Sequence, residues 1–325
     1  MRIVALAGGI GGARFLRGLL RAVGPGDEVT VVANTADDIS LFGLRICPDL
    51  DTLMYTLGGG IDEERGWGRA GETWAAKEEL AAYDVPGAWF GLGDRDLATH
   101  LVRTQMLTAG YPLSEVTRAL CARWRPGVRL LPMSDDRVET HVVVERDGRR
   151  QALHFQEWWV RLGGGPDVLD VVAVGAEDAR PAAGVLDALA AADLVVLPPS
   201  NPVVSIGTVL GVPGLRDAVA ARPVVGLSPV VGGAPVRGMA DRLLPAVGVA
   251  VEAGAVATDW YARRFGADLL DGWLVDTRDA DALPRVQAAG IACRAVPLLM
   301  SDADATTAMA RAALDLASHG VASGT

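Results

Sequence analysis

The stretch that most constrains the fold is RIVALAGGIGGARFLRGLL, residues 2–20. A short apolar run, RIVALA (2–7), ends abruptly in glycines, which predicts a buried parallel strand. The next segment, GARFLRGLLRAV (12–23), has apolar residues at 13, 15, 16, 19, 20 and 23, the spacing of an amphipathic helix. EVTVVANT (28–35) follows as a β-branched strand. Strand, glycine loop, helix and strand in that order open a doubly wound α/β fold. Its first loop offers free N–H groups at a helix N-terminus, where a phosphate can bind. The loop matches neither common version. A Walker loop needs GxxxxGK[ST], and no such lysine is present; a dinucleotide fingerprint needs GxGxxG, and Arg14 stands at its third glycine.

The pattern returns later in the chain. Strands are predicted at 170–176, 194–200, 223–229 and 272–277, with helices at 184–193 and 306–320. In between, 70–83 and 95–125 read as helices and GAWFGLGD (87–94) as a strand. ETHVVVERDGRRQALHF (139–155) reads as a hairpin turning at Asp147-Gly148. The expectation is a single α/β domain over 1–325, with an insertion at about 55–165 forming a smaller α+β lobe over the cleft. At 325 residues, 50% of them hydrophobic, the chain can bury a large core. A net charge of -10 argues against nucleic-acid and anionic-membrane partners. Cys47, Cys121 and Cys293 are odd in number and form no CxxC pair, so they are expected reduced. The opening apolar run is too short for a signal peptide, and a cytoplasmic location is expected.

Four acidic clusters each follow an apolar run: Asp37-Asp38, Asp49 and Asp51 in CPDLDT, Asp94 and Asp96 in LGDRDLATH, and Asp135-Asp136 in LPMSDD. The carboxyl ends of strands in an open sheet form one rim where ligands bind. Carboxylates gathered there suit Mg²⁺, which takes one or two of them plus substrate oxygens. The plainer reading of any one of these residues is a helix N-cap. PSNPVVSIG (199–207) sets polar groups between prolines, as an anion or base site or as a rigid loop. HFQEWWVR (154–161) offers aromatic rings to stack a ligand or to pack the core. His100, one turn after Asp96, reads as a base, a ligand or a structural group. No HExxH or GxSxG is present.

Together, AGGIGGARF, CPDLDT, LGDRDLATH, LPMSDD, HFQEWW, PSNPVVSIG and SPVVGGAPVRGMAD resemble the 2-phospho-L-lactate transferase family of coenzyme F-420 biosynthesis, in order and over essentially the whole chain. GGARFLRG and HLVRTQMLTAGYPLS are most similar to its actinobacterial branch, described as phosphoenolpyruvate transferases. The resemblance implies a Rossmann-like fold, Mg²⁺ and a homodimer. It implies transfer from a guanylylated three-carbon acid to the ribityl hydroxyl of the deazaflavin alcohol Fo, with GMP leaving. It implies that Gly8, Gly9, Gly11 and Gly12 face the donor phosphates and that Ser200 and Asn201 hold the guanosine part. Asp49, Asp51 and Thr52 match a motif serving Fo and metal, with Asp49 and Asp51 as the metal ligands. Asp94 and Arg95 match a motif of the same cleft, and Met133 and Ser134 a segment lining the Fo ring. Asp49, Asp51 and Asp94 form the expected catalytic set, and Arg14, Asn34, Asp38 and His100 complete the substrate-facing one. Ile10 stands where many relatives have threonine, which removes one hydroxyl contact. A competing reading is a non-catalytic, nucleotide-sugar-binding regulator similar to gluconeogenesis factors. An NAD-dependent oxidoreductase is disfavoured by the broken GxGxxG.

Overall fold

The computed structural model describes residues 1–321. The chain runs through β1 (Arg2–Ala7), α1 (Gly9–Ala22) and β2 (Glu28–Ala33), then a small hairpin of β3 (Ile39–Leu41) and β4 (Leu44–Ile46). Helices α2 (Pro48–Leu57), α3 (Ala75–Ala82), α4 (Asp94–Thr108) and α5 (Leu113–Trp124) follow, leading to β5 (Arg129–Pro132). Next come β6 (Glu139–Arg146), β7 (Arg149–His154), β8 (Val168–Val174), β9 (Leu194–Leu197) and β10 (Val224–Leu227). A short hairpin, β11 (Val230–Val231) with β12 (Ala234–Pro235), precedes β13 (Gly272–Val275), β14 (Ala292–Ala295) and a closing helix, Ala303–Val321.

Seven strands form one sheet in the order β14-β13-β10-β9-β1-β2-β5. Every pairing in it is parallel. The chain winds one way from β1 through β2 to β5, then crosses back and winds the other way from β9 outward. This is the doubly wound, Rossmann-like arrangement that the opening residues predict, and its order reverses between β1 and β9. Alternation along β1 feeds two cores. Val4 and Leu6 pack on one face, while Ile3, Ala5 and Ala7 pack on the other with Phe15, Leu16 and Leu19 of α1.

Four local expectations differ from the structure. GAWFGLGD is a chain of turns rather than a strand; Gly87 at φ +106° reverses the chain there. Residues 95–125 make two helices, separated where Pro112 ends the intervening turn before α5. Only Ala75–Ala82 of the 70–83 stretch is helical. The strand expected at 170–176 leaves the main sheet and pairs antiparallel with β6, beside the correctly placed 146–149 turn. That pairing leaves one face open, with Val172 and Val174 exposed. β5, inside the span assigned to the inserted lobe, belongs to the central sheet.

Candidate active site

A cleft of about 590 Å³ opens where the strand order reverses, at the carboxyl ends of β1 and β9. Two loops meet at its floor. The Gly8 N–H donates to Ser200 Oγ (3.2 Å), and that hydroxyl donates to the Gly8 carbonyl (2.8 Å). Gly11 lies so close to the second loop that a Cβ there would stand 2.6 Å from the Pro199 carbonyl oxygen. The glycine loop therefore lets two crossing segments touch, a reason independent of any ligand. Gly12 is buried against Ser200 and Ala7, whereas Gly8, Gly9 and Gly11 line the cleft. Asn201 also lines it. Its side-chain Oδ1 caps the following turn by accepting from the Val203 and Val204 amides (2.9 and 3.2 Å).

The acidic wall stands opposite. Pro48 starts α2 and places Asp49 and Asp51 in its first turn, with Thr52 beside them, all three lining the cleft. Asp49 accepts from the Gly9 N–H (2.8 Å) and from Asn34 Nδ2 (2.9 Å). Burial pushes its carboxyl up to about 6, against the pull of those two hydrogen bonds. Asp51 is held through Oδ1 by Arg103, whose side chain is fully buried, while its Oδ2 has no hydrogen-bond partner. Arg103 also donates to His100 Nδ1 (3.0 Å), which leaves the ring proton on Nε2, 3.4 Å from Asp96 Oδ2. Tyr55 donates to the other Asp96 oxygen (2.6 Å). Asp37 completes the wall, with Oδ1 unpartnered and its carboxyl raised well above the usual range by burial and by the nearby Asp49. Trp67, Phe90, Phe155 and Trp159 add an aromatic wall, while the adjacent Trp158 is wholly buried. HFQEWW thus serves both readings of it.

Several residues expected at the site lie elsewhere. Asp94 does not line the cleft: its carboxylate accepts from the Thr73 hydroxyl (2.5 Å) and from the Ala75 and Ala76 amides (3.1 and 2.9 Å), capping α3 from a distance. Arg95 points to the surface near Gly71. Asn34 is fully buried beneath Asp49 and also accepts from Thr208, so it positions Asp49 and does not reach the cleft. Asp38 does not line the cleft and pairs with Arg45 (3.1 Å). Met133 is core, and Ser134 ties its loop to the Arg180 carbonyl (2.6 Å). The neighbouring Asp135 caps α5 through the Ser114 amide and hydroxyl, so LPMSDD is a structural clamp here. Arg14 and His100 do line the cleft. Sequence reasoning missed Arg103 and Tyr55, and of the Asp37-Asp38 pair it carried only Asp38 into the expected site, whereas Asp37 lines the cleft. Arg103 follows His100 by three residues on α4, a spacing that puts both on one helix face.

Residues 3–307 match the family model described as 2-phospho-L-lactate transferase CofD. The chain belongs to this family. Among curated relatives, a phosphoenolpyruvate transferase of Streptomyces griseus is 68% identical over 319 residues, 98% of each chain. One of Thermobifida fusca is 62% identical over 324 residues, again 98% of each chain. One of Mycolicibacterium smegmatis is 55% identical, over 98% of this chain and 99% of its own. A Bacillus halodurans protein of the UPF0052 family superposes with a TM-score of 0.66 over 96% of this chain and 98% of its own, at 16% identity, and so shares the fold. As a member of the 2-phospho-L-lactate transferase family the protein is a phosphotransferase. Among the described residues no helix is long and apolar enough to cross a membrane.

Proposed function

We propose that the cleft transfers a phosphoenolpyruvyl group, or its saturated 2-phospho-L-lactyl counterpart, from a guanosine diphosphate-linked donor to the terminal ribityl hydroxyl of Fo. GMP leaves, and dehydro coenzyme F-420-0, or coenzyme F-420-0, is formed. The observation that carries this reading is the meeting, in one cleft, of a helix N-terminus, a buried acidic wall and an aromatic wall. The names of the actinobacterial relatives favour the enolpyruvyl donor.

The chemistry follows from the groups present. Phosphoryl transfer needs alignment and charge neutralisation more than a covalent nucleophile. The start of α1 offers its amides to phosphate oxygens. The aromatic wall takes the flat deazaflavin ring by stacking. The hydroxyl oxygen attacks the phosphorus bearing the three-carbon acid as the bond to GMP breaks, and its proton passes to Asp49 or Asp51. The donor set fits Mg²⁺. Asp51 Oδ2 and Asp37 Oδ1 are buried without partners, and burial raises the proton affinity of Asp37 and Asp49, as expected of carboxylates lacking a neutralising charge. Mg²⁺ takes one or two carboxylates and completes its shell with substrate oxygens and water. Asp49 and Asp51 would hold it. Bound there, it would neutralise charge developing on the transferring phosphate. A homodimer in the cytoplasm belongs to the same reading.

The test is incubation of the protein with Fo, Mg²⁺ and each donor separately, followed by mass spectrometry. The dehydro product is expected from the enolpyruvyl donor. If neither donor gives a product, the reading fails.

A further inference from the structure

Two guanidinium groups in the cleft have no protein partner. Arg14 and Arg237 both line it, and neither makes a hydrogen bond or ion pair with any described residue. Other arginines nearby are engaged: Arg17 holds the Thr56 carbonyl and Glu63, and Arg103 holds Asp51. Glu63, whose charge reaches Arg14, is thus already paired at 2.6 Å.

The two groups come from opposite halves of the chain. Arg14 lies about 7.5 Å along the axis of α1 from its first residue, on the rise per residue of a helix. Arg237 stands on the loop after β12, and its Nη1 lies 2.8 Å from where a Cβ on Gly66 would be. Burial, and next the charge of Arg237, lower the proton affinity of Arg14, so the two guanidiniums feel each other. A guanidinium is a permanent cation under ordinary conditions. Like charges facing one space repel unless an anion joins them. Two amides of the glycine loop, those of Gly8 and Gly9, are already engaged by Ser200 and Asp49, so side-chain donors add to what the start of α1 offers.

The geometry points to a second anion subsite, formed by Arg14 and Arg237 together beyond the first turn of α1, that takes an oxyanion of the guanosine diphosphate-linked donor. This rests on the donor proposed above. Both a diphosphate oxygen and the carboxylate of the three-carbon acid have the required chemistry, since each accepts paired N–H bonds from guanidinium.

Calorimetric titration of wild type, Arg14→Gln and Arg237→Gln with GMP, GDP and phosphoenolpyruvate tests it. Each substitution is expected to weaken GDP or phosphoenolpyruvate by about tenfold or more while leaving GMP within about twofold. Loss on GDP assigns the subsite to the diphosphate; loss on phosphoenolpyruvate alone assigns it to the three-carbon acid. Variants that bind both ligands within about twofold of wild type overturn the inference. So does equal weakening of all three ligands, or a wild type that binds neither GDP nor phosphoenolpyruvate. Arg237 is exposed and unpartnered, so its variant is expected to keep the wild-type melting curve. Turnover on Fo plays no part in these titrations, so failure of the functional reading is seen separately.

Discussion

Two groups of buried aspartates stand at the carboxyl edge of the same sheet and behave in opposite ways. Asp276, directly after β13, is 3% exposed. One of its oxygens accepts from the Arg278 amide and Nε (both 3.0 Å), and the other from the Leu298 amide (2.8 Å). Burial raises its proton affinity, but those bonds and the Arg278 charge lower it further, so its carboxyl lies below the usual range. In the N-terminal half, Asp37 and Asp49 sit deeper beneath the surface, and burial shifts both upward. A buried charge satisfied by its own chain holds structure. One that burial shifts upward, facing a cleft with no cation to offset it, is arranged for something that arrives. Residue type and place on the sheet are shared; the depth of burial and the supply of donors and positive charge differ.

Substitutions can break or sharpen this contrast. Asp51→Ala removes a cleft carboxylate and is expected to lower the rate of GMP release by about a thousandfold, with a folded circular-dichroism spectrum. GMP release near wild type would remove Asp51 from the mechanism. Arg103→Ala leaves Asp51 and His100 unpaired in a buried wall, and denaturant unfolding should show a loss of about 3–5 kcal/mol. Asp276→Ala strips three donors of their acceptor and should cost about 2–3 kcal/mol, while turnover per folded molecule stays within about threefold. A large fall in turnover there would erase the distinction between the two groups.

The pH dependence of Asp276 has a definite sign. Its folded carboxyl is depressed, so its contribution is present above the unfolded pKa of about 3.9 and is lost as pH falls through the lower folded value. The melting-temperature gap between wild type and Asp276→Asn should therefore be steady near neutrality and shrink below about pH 4. The smallest effect is expected at Asp94. Asp94→Ala removes the cap on α3 and should lower the melting temperature only slightly, with turnover within about threefold of wild type. A collapse of turnover there would return Asp94 to the catalytic set.

Local chemistry made much of the fold legible. RIVALAGGIGGARFLRGLL specified β1, the loop and α1, because period, glycine and helix spacing act within a few residues. β5 is legible only as the apolar run before LPMSDD, and the edge strand β14 is not legible as a strand, since it is only partly buried and includes Arg294. At the site, CPDLDT announced Asp49 and Asp51 because Pro48 and the helix start fix their direction. LGDRDLATH and LPMSDD promised as much, yet Asp94 and Asp135 cap helices while Asp96 and His100 form part of the cleft wall.

The sequence by itself determined that this chain is a doubly wound α/β protein with a glycine loop and an acidic rim, since those are properties of neighbouring residues. Only the tertiary structure decided which acids face the cleft. That choice depends on which distant amide or guanidinium reaches each carboxylate first: Ala76 for Asp94, Arg45 for Asp38, Arg103 for one oxygen of Asp51. Those partners come from other elements of the fold, and no spacing along the chain records them.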